Sequence, residues 1–205
     1  MPRHAWLLAV IWLLPAMAEA IDNDFVRVTR DAAPCANAGT PGCGERVIVA
    51  LEPVEFEADG SRRRLSRGEV AVFGAAESYA LAAGGAYFEV AIKPDHPPSA
   101  SPGENIAPDK NAMRYDGERF FVFEERLAPG DTRARHSHSQ RVVIQLNRAK
   151  LRQWPDGTPE IVVETVPERA NFSPPVIHVV ENIGEVPLRG IVIEFKPGLP
   201  GPAWR

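Results

Sequence analysis

No stretch of this chain carries a long amphipathic helical period. Nine short runs rich in Val, Ile and Phe follow one another instead: 24–29, 46–57, 69–74, 87–93, 119–127, 141–147, 160–166, 176–182 and 189–196. Most are bounded by Gly, Pro, Asp or Asn, which stop a strand and start a turn. Apolar runs of this length at this spacing predict an all-β sandwich or barrel.

The first twenty residues follow a different rule. Arg3 and His4 precede an apolar run from Ala5 to Met17, and Ala18-Glu19-Ala20 fits a small-x-small cleavage site. That order is the pattern of a secretory signal peptide. The alternative is a membrane anchor, but the run is short for a bilayer. The expected mature chain is 21–205, periplasmic or secreted and free of the membrane once cleaved. Cleavage removes one Arg and one Glu, so the net charge stays at -4. A mildly acidic chain lacks the basic face that nucleic acid requires. Cys35 and Cys43 lie in the Gly/Pro-rich loop "PCANAGTPGCGE". In an oxidising compartment a local disulfide is the default, with a reactive or metal-binding pair as the rival.

Residues 94–112 are Pro- and Ser-rich with no apolar pattern, and are expected to link modules at 21–93 and 113–205. The two halves repeat. "GERVIVALEPVEF" matches "SQRVVIQLNRAKL" 95 residues on. Each continues to an Asp-Gly turn (Asp59-Gly60, Asp156-Gly157) and ends in a strand leading to Lys-Pro (Lys93-Pro94, Lys196-Pro197). Three features in one order point to duplication of a β module.

The mature chain holds four histidines. His96 lies in the linker and is expected to be solvated. "GDTRARHSH" places Gly130 five residues before His136, with His138 one residue beyond, and "HVVEN" places Asn182 after His178 and three residues. These spacings resemble the two signature motifs of the cupin superfamily, Gly-x5-His-x-His and His-x3-Asn. The resemblance implies double-stranded β-helix (jelly-roll, cupin-like) barrels, two in tandem. It also implies a metal centre on His136, His138 and His178. Strand alternation supports this, since residues two apart share a face. A regular strand would put His136, His138, Gln140, Val142, Ile144 and Leu146 on one face, the barrel interior. Neutral imidazoles suit divalent Fe, Mn, Ni, Cu or Zn.

The chain departs from the motif in one respect. Cupins usually carry a Glu ligand separated from the second His by three or four residues, where Val142 and Val143 stand here. A shorter loop brings Gln140 or Arg141 to that place. An Arg beside a cation opposes binding. Alternation predicts Arg141 outward and Gln140 inward, so Gln140 is the remaining candidate, as ligand or hydrogen-bonding neighbour. In the N-terminal copy the offset puts Pro41, Cys43 and Glu45 at the places of His136, His138 and Gln140, and Tyr79 stands where the last His would be. No imidazole remains, so that module reads as a degenerate barrel whose loop a disulfide pins.

The sequence contains no Gly-x-Ser-x-Gly, His-Glu-x-x-His, P-loop or dinucleotide fingerprint. The Arg-rich stretch 60–68 is expected to be solvated, and the aromatic residues of 114–121 to pack in the core. Two functions stay open. One is a metal-dependent enzyme on a small molecule, of dioxygenase or isomerase type. The other is a non-catalytic protein of the cell envelope that binds metal or a small ligand. A homodimer is implied by the resemblance alone.

Overall fold

The computed structural model describes residues 21–197; the signal peptide expected over 1–20 lies outside them. The described residues hold seventeen strands and no helix. The first module comprises β1 (Ile21–Asp22), β2 (Val26–Arg30), β3 (Arg46–Ala50), β4 (Val54–Ala58), β5 (Ser61–Leu65), β6 (Val70–Phe73), β7 (Tyr79–Gly84) and β8 (Tyr87–Ile92). The second comprises β9 (Asn111–Asp116), β10 (Phe120–Leu127), β11 (Thr132–His138), β12 (Arg141–Gln145), β13 (Lys150–Pro155), β14 (Ile161–Glu164), β15 (Ala170–Ser173), β16 (Val176–Asn182) and β17 (Leu188–Phe195). Sheets β1-β2-β8-β3-β6 and β5-β4-β7 form the first barrel. Sheets β15-β12-β17-β10-β9 and β11-β16-β13-β14 form the second. Two antiparallel sheets closed on each other in each module make a tandem jelly roll, as the strand pattern predicts.

The registers repeat from module to module. Val47 pairs with Val90 as Val142 pairs with Ile193. Arg46 pairs with Phe73 as Arg141 pairs with Ser173.

Alternation gives each strand of the large sheets two apolar destinations. Val47, Val49, Phe88, Val90 and Ile92 face out of the first barrel, onto Val122, Val142, Ile144, Ile191 and Ile193 of the second; all ten are 0 % exposed. Each such side chain contributes about 1.5–3 kcal/mol on burial. The largest apolar cluster therefore lies between the barrels. Glu168 ties the same junction from its rim, accepting from Arg30 Nη2 at 2.7 Å and Arg67 Nη1 at 2.9 Å.

This packing corrects the expected alternation. Residues 132–146 are not one regular strand: β11 ends at His138, Ser139 and Gln140 make a bend, and β12 starts at Arg141 in the other sheet. The alternation restarts there. Val142, Ile144 and Leu146 belong to the inter-barrel cluster. Arg141, Val143 and Gln145 line the second barrel's interior.

Seven strands (β1, β5, β7, β9, β11, β13, β15) fall outside the nine apolar runs. They are short or polar, so no apolar run marks them in the sequence. β5 is "SRRRL" with four exposed residues, the solvated Arg cluster the sequence predicts. Phe120 is fully buried and Tyr115 packs on it at 5.3 Å between ring centroids.

Candidate metal centre

The turn that enters β11 is set by Gly130 and Asn182. Gly130 has φ of 78°, a conformation that costs a side-chain-bearing residue energy. Its N–H donates to Asn182 O at 2.8 Å, and Asn182 N donates to Asp131 O at 3.0 Å. The fully buried Asn182 Nδ2 donates to Leu127 O at 2.9 Å and Val186 O at 2.8 Å. The last residue of His-x3-Asn thus fixes the loops at one end of the barrel.

β11 and β16 pair with His136 directly opposite His178. His138, two residues on, shares the face of His136. The three rings lie 4.6–5.5 Å apart between centroids and are 1 %, 3 % and 6 % exposed for His136, His138 and His178. One nitrogen from each falls within 4.8 Å of the others.

The hydrogen bonds fix which nitrogens face inward. His136 Nδ1 meets Ala134 O at 2.7 Å. His138 Nδ1 meets Glu194 Oε2 at 2.6 Å. Both partners only accept, so each Nδ1 carries the proton of a neutral ring and each Nε2 offers a lone pair. Those two Nε2 atoms stand 3.1 Å apart. Two lone pairs at that distance repel unless a cation lies between them. Two nitrogens about 2.1 Å from one ion, at about a right angle, are separated by about 3 Å. His178 has neither nitrogen hydrogen-bonded although both are buried. The donor set fits a divalent cation.

Burial disfavours charge on His136 and His178. It carries His136 down to about 4, although the Ala134 carbonyl pulls the other way; the Arg133 charge adds to the lowering. Burial, then His136, His138, Arg141 and Arg133, carries His178 down to about 2. Neutral imidazole is the ligating form.

Glu194 was not anticipated. It also accepts from Ser139 N, at 2.7 Å, and so holds His138 by its ring and by its neighbouring backbone. A lone carboxylate in the buried run "GIVIEF" was the signal for it. Phe123 stacks behind His138 at 6.1 Å. Gln140, the candidate ligand, is not in the cluster. Its Oε1 accepts from Ala100 N at 2.9 Å, and the bend turns it away from the cavity. His96 is not solvated as expected; it is half-buried against Phe25 and Phe195, 5.7 and 5.8 Å between ring centroids.

A cavity of about 430 Å³ opens beside His138 and His178, lined by Glu125, Arg141, Gln145, Gln153 and Ser173 among others. Glu125 is held by Arg133, which reaches Oε1 at 2.5 Å.

The N-terminal barrel shows why it has no such space. Matching registers place Phe73 where Ser173 stands, and Tyr87 where Gly190 stands. The Asp-Gly turns align Ala58 with Pro155, which places Tyr79 at His178. Phe73 and Tyr79 stack at 4.4 Å, and Phe56 meets Phe73 edge-on at 5.3 Å. Aromatic rings plug this barrel. Cys35 and Cys43 form the expected disulfide, Cα atoms 5.6 Å apart. It packs on Ala91, whose counterpart is Glu194. Glu89, buried beside it, accepts from Cys35 N at 3.0 Å and from Tyr79 Oη.

No family model and no curated protein matches the chain. Its likeness is to solved structures. AerE from Microcystis aeruginosa aligns with a TM-score of 0.59 and 17% identity, over 91% of this chain and 95% of that one. The cupin 2 conserved barrel domain protein from Leptotrichia buccalis aligns at 0.53 and 14%, over 90% and 92%. Oxalate decarboxylase from Bacillus subtilis, a protein with Mn(II) centres, aligns at 0.54 and 10%, over 89% and 76%. The chain has the cupin fold, with two barrels in tandem.

Proposed function

We propose that this is an exported metal-dependent enzyme acting on a small polar molecule in its C-terminal barrel. The observation that carries the proposal is the pair of bare Nε2 atoms on His136 and His138, 3.1 Å apart, beside an unpartnered His178. His136, His138 and His178 would hold a divalent Fe, Mn, Ni, Cu or Zn ion. A bound ion supplies Lewis acidity toward an oxygen of the substrate, and Fe or Mn also supplies redox chemistry. The Mn(II) centres of the Bacillus subtilis neighbour support a divalent ion on this fold. Glu194 fixes the tautomer of His138. Glu125, on the cavity wall, is placed to exchange a proton with a bound molecule. The buried disulfide supports an oxidising compartment.

A non-catalytic binding protein of the cell envelope is favoured by one observation: Arg141, not a carboxylate, faces the cavity at the start of β12. Turnover separates the two. Mature protein reloaded with each metal is supplied with a panel of small polar acids, alcohols and sugars, and product formation and oxygen uptake are followed. The enzyme reading expects conversion that Glu125→Gln and His178→Ala both abolish. Tight metal binding without conversion of any compound favours the binding protein.

A further inference from the structure

The two barrels carry one arginine in the same place; Arg46 is held by three carbonyls and only its Nε lacks a partner, whereas Arg141 is held by two. Arg46 Nη1 donates to Gly44 O at 3.0 Å and Gly74 O at 2.6 Å. Arg141 Nη1 donates to Ser139 O at 3.2 Å and Pro174 O at 2.8 Å, the carbonyls at the matching positions. The resemblance ends there. Arg46 Nη2 donates to Glu77 O, in a barrel plugged by aromatic rings. Arg141 makes no hydrogen bond through Nη2 or Nε and no ion pair among the described residues. It lines the open cavity with His138 and His178.

An arginine used only as a strap would look like Arg46. Arg141 instead keeps donors for something that enters. Burial disfavours its charge, opposed by Glu194 and Glu125. Glu125 pairs with Arg133, which leaves Glu194 as the one carboxylate near Arg141. A divalent ion on three neutral imidazoles adds more positive charge to the same recess. Positive charge without a counter-charge is costly away from water. A carboxylate matches the fork of a guanidinium and is a hard oxygen donor for a metal. Gln145 Oε1 is buried without a partner on the same wall, so it calls for a hydroxyl or amino donor on the guest. Gln153, Asn171 and Ser173 extend a polar lining.

We propose that Arg141 selects a small hydroxylated carboxylic acid, whose carboxylate supplies the anionic oxygen that the three-imidazole site lacks. This substrate class rests on the metal reading above, while the guanidinium contact itself does not. The test uses the mature protein, metal-loaded and metal-stripped, with glycerate, its neutral amide glyceramide and inorganic phosphate as calorimetric titrants at constant ionic strength. Loaded wild type binds glycerate at least about tenfold more tightly than glyceramide. Arg141→Gln loses about 10- to 100-fold in glycerate affinity, the range for hydrogen bonds to a charged group, and loses the preference for charge. Arg141→Lys keeps part of that preference, which separates lost charge from a misfolded barrel. Equal binding of glycerate and glyceramide, or a charge preference that survives in Arg141→Gln, overturns the proposal. Phosphate bound more tightly than glycerate through Arg141 overturns the carboxylate assignment. Should the protein take up no metal, the metal reading falls, and Arg141-dependent glycerate binding to stripped protein leaves the guanidinium subsite standing.

Discussion

Glu194→Gln changes one atom and removes one charge, yet the geometry predicts a large loss of metal affinity. The carboxylate has two tasks: Oε2 takes the proton-bearing Nδ1 of His138 at 2.6 Å, and Oε1 takes Ser139 N–H at 2.7 Å. A glutamine cannot accept in both directions. If its oxygen keeps Ser139 N–H, its amide nitrogen donates to His138 Nδ1. That moves the ring proton to Nε2, the atom that faces His136. If the amide turns over, Ser139 N–H is left against a donor in a buried position, itself a cost of about 1–3 kcal/mol. Losing such a hydrogen-bonding neighbour of a ligand lowers metal affinity about 10- to 100-fold, or about 1.4 to 2.7 kcal/mol. The assay is competition for Zn²⁺ or Mn²⁺ with a chromophoric chelator at pH 7, on wild type, Glu194→Gln and a control, Glu160→Gln, on the far exposed rim. Affinity unchanged in Glu194→Gln would refute the assigned tautomer, and with it the inward lone pair of His138.

Other consequences follow from single features. Burial raises the Glu124 carboxyl, but Arg126, Arg114 and Arg189 outweigh that and hold it at about 2, against an ordinary 4.5. Its folded value is depressed, so its stabilisation is complete above the unfolded value and is lost as pH falls from 4.5 toward 2; Glu124→Gln should flatten acid unfolding in that window, followed by circular dichroism. Asn182→Ala removes the Nδ2 bonds to Leu127 O and Val186 O and the Oδ1 that accepts from Gly184 N, and should lower stability by about 2–4 kcal/mol in urea unfolding. Residues 113–205 expressed alone would expose the fully buried Val122, Val142, Ile144, Ile191 and Ile193, and should self-associate in analytical ultracentrifugation, whereas a stable monomer would contradict the shared core.

The motif spacings carry much of this site because they encode geometry directly. An i, i+2 histidine pair on a strand must share a face, and His-x3-Asn places an imidazole on β16 with its turn-fixing amide at the strand end. The duplication was equally visible, since β3 and β12 align residue for residue. The face of β12 was not. A two-residue bend at Ser139 and Gln140 resets the alternation, and both faces of β12 find cover, one in the cavity and one against the other barrel. A run such as "RVVIQL" therefore does not say which side is the interior. Glu194 was hidden for the same reason: its role depends on β17 lying next to β12, a non-local pairing. Tyr79 in the place of His178 was legible in the sequence, but the plug also needed Phe73 and Tyr87 to be set against Ser173 and Gly190, which only the registers provide.

The most direct test of the three-imidazole centre is the metal content of purified mature protein by inductively coupled plasma mass spectrometry. It is measured before and after stripping and reloading, on wild type, His136→Ala and His178→Ala. One divalent ion per chain in wild type, lost in both variants while the fold is kept, is the expected result. Wild-type protein that takes up no stoichiometric metal, or variants that hold it as tightly, would contradict the assignment of His136, His138 and His178.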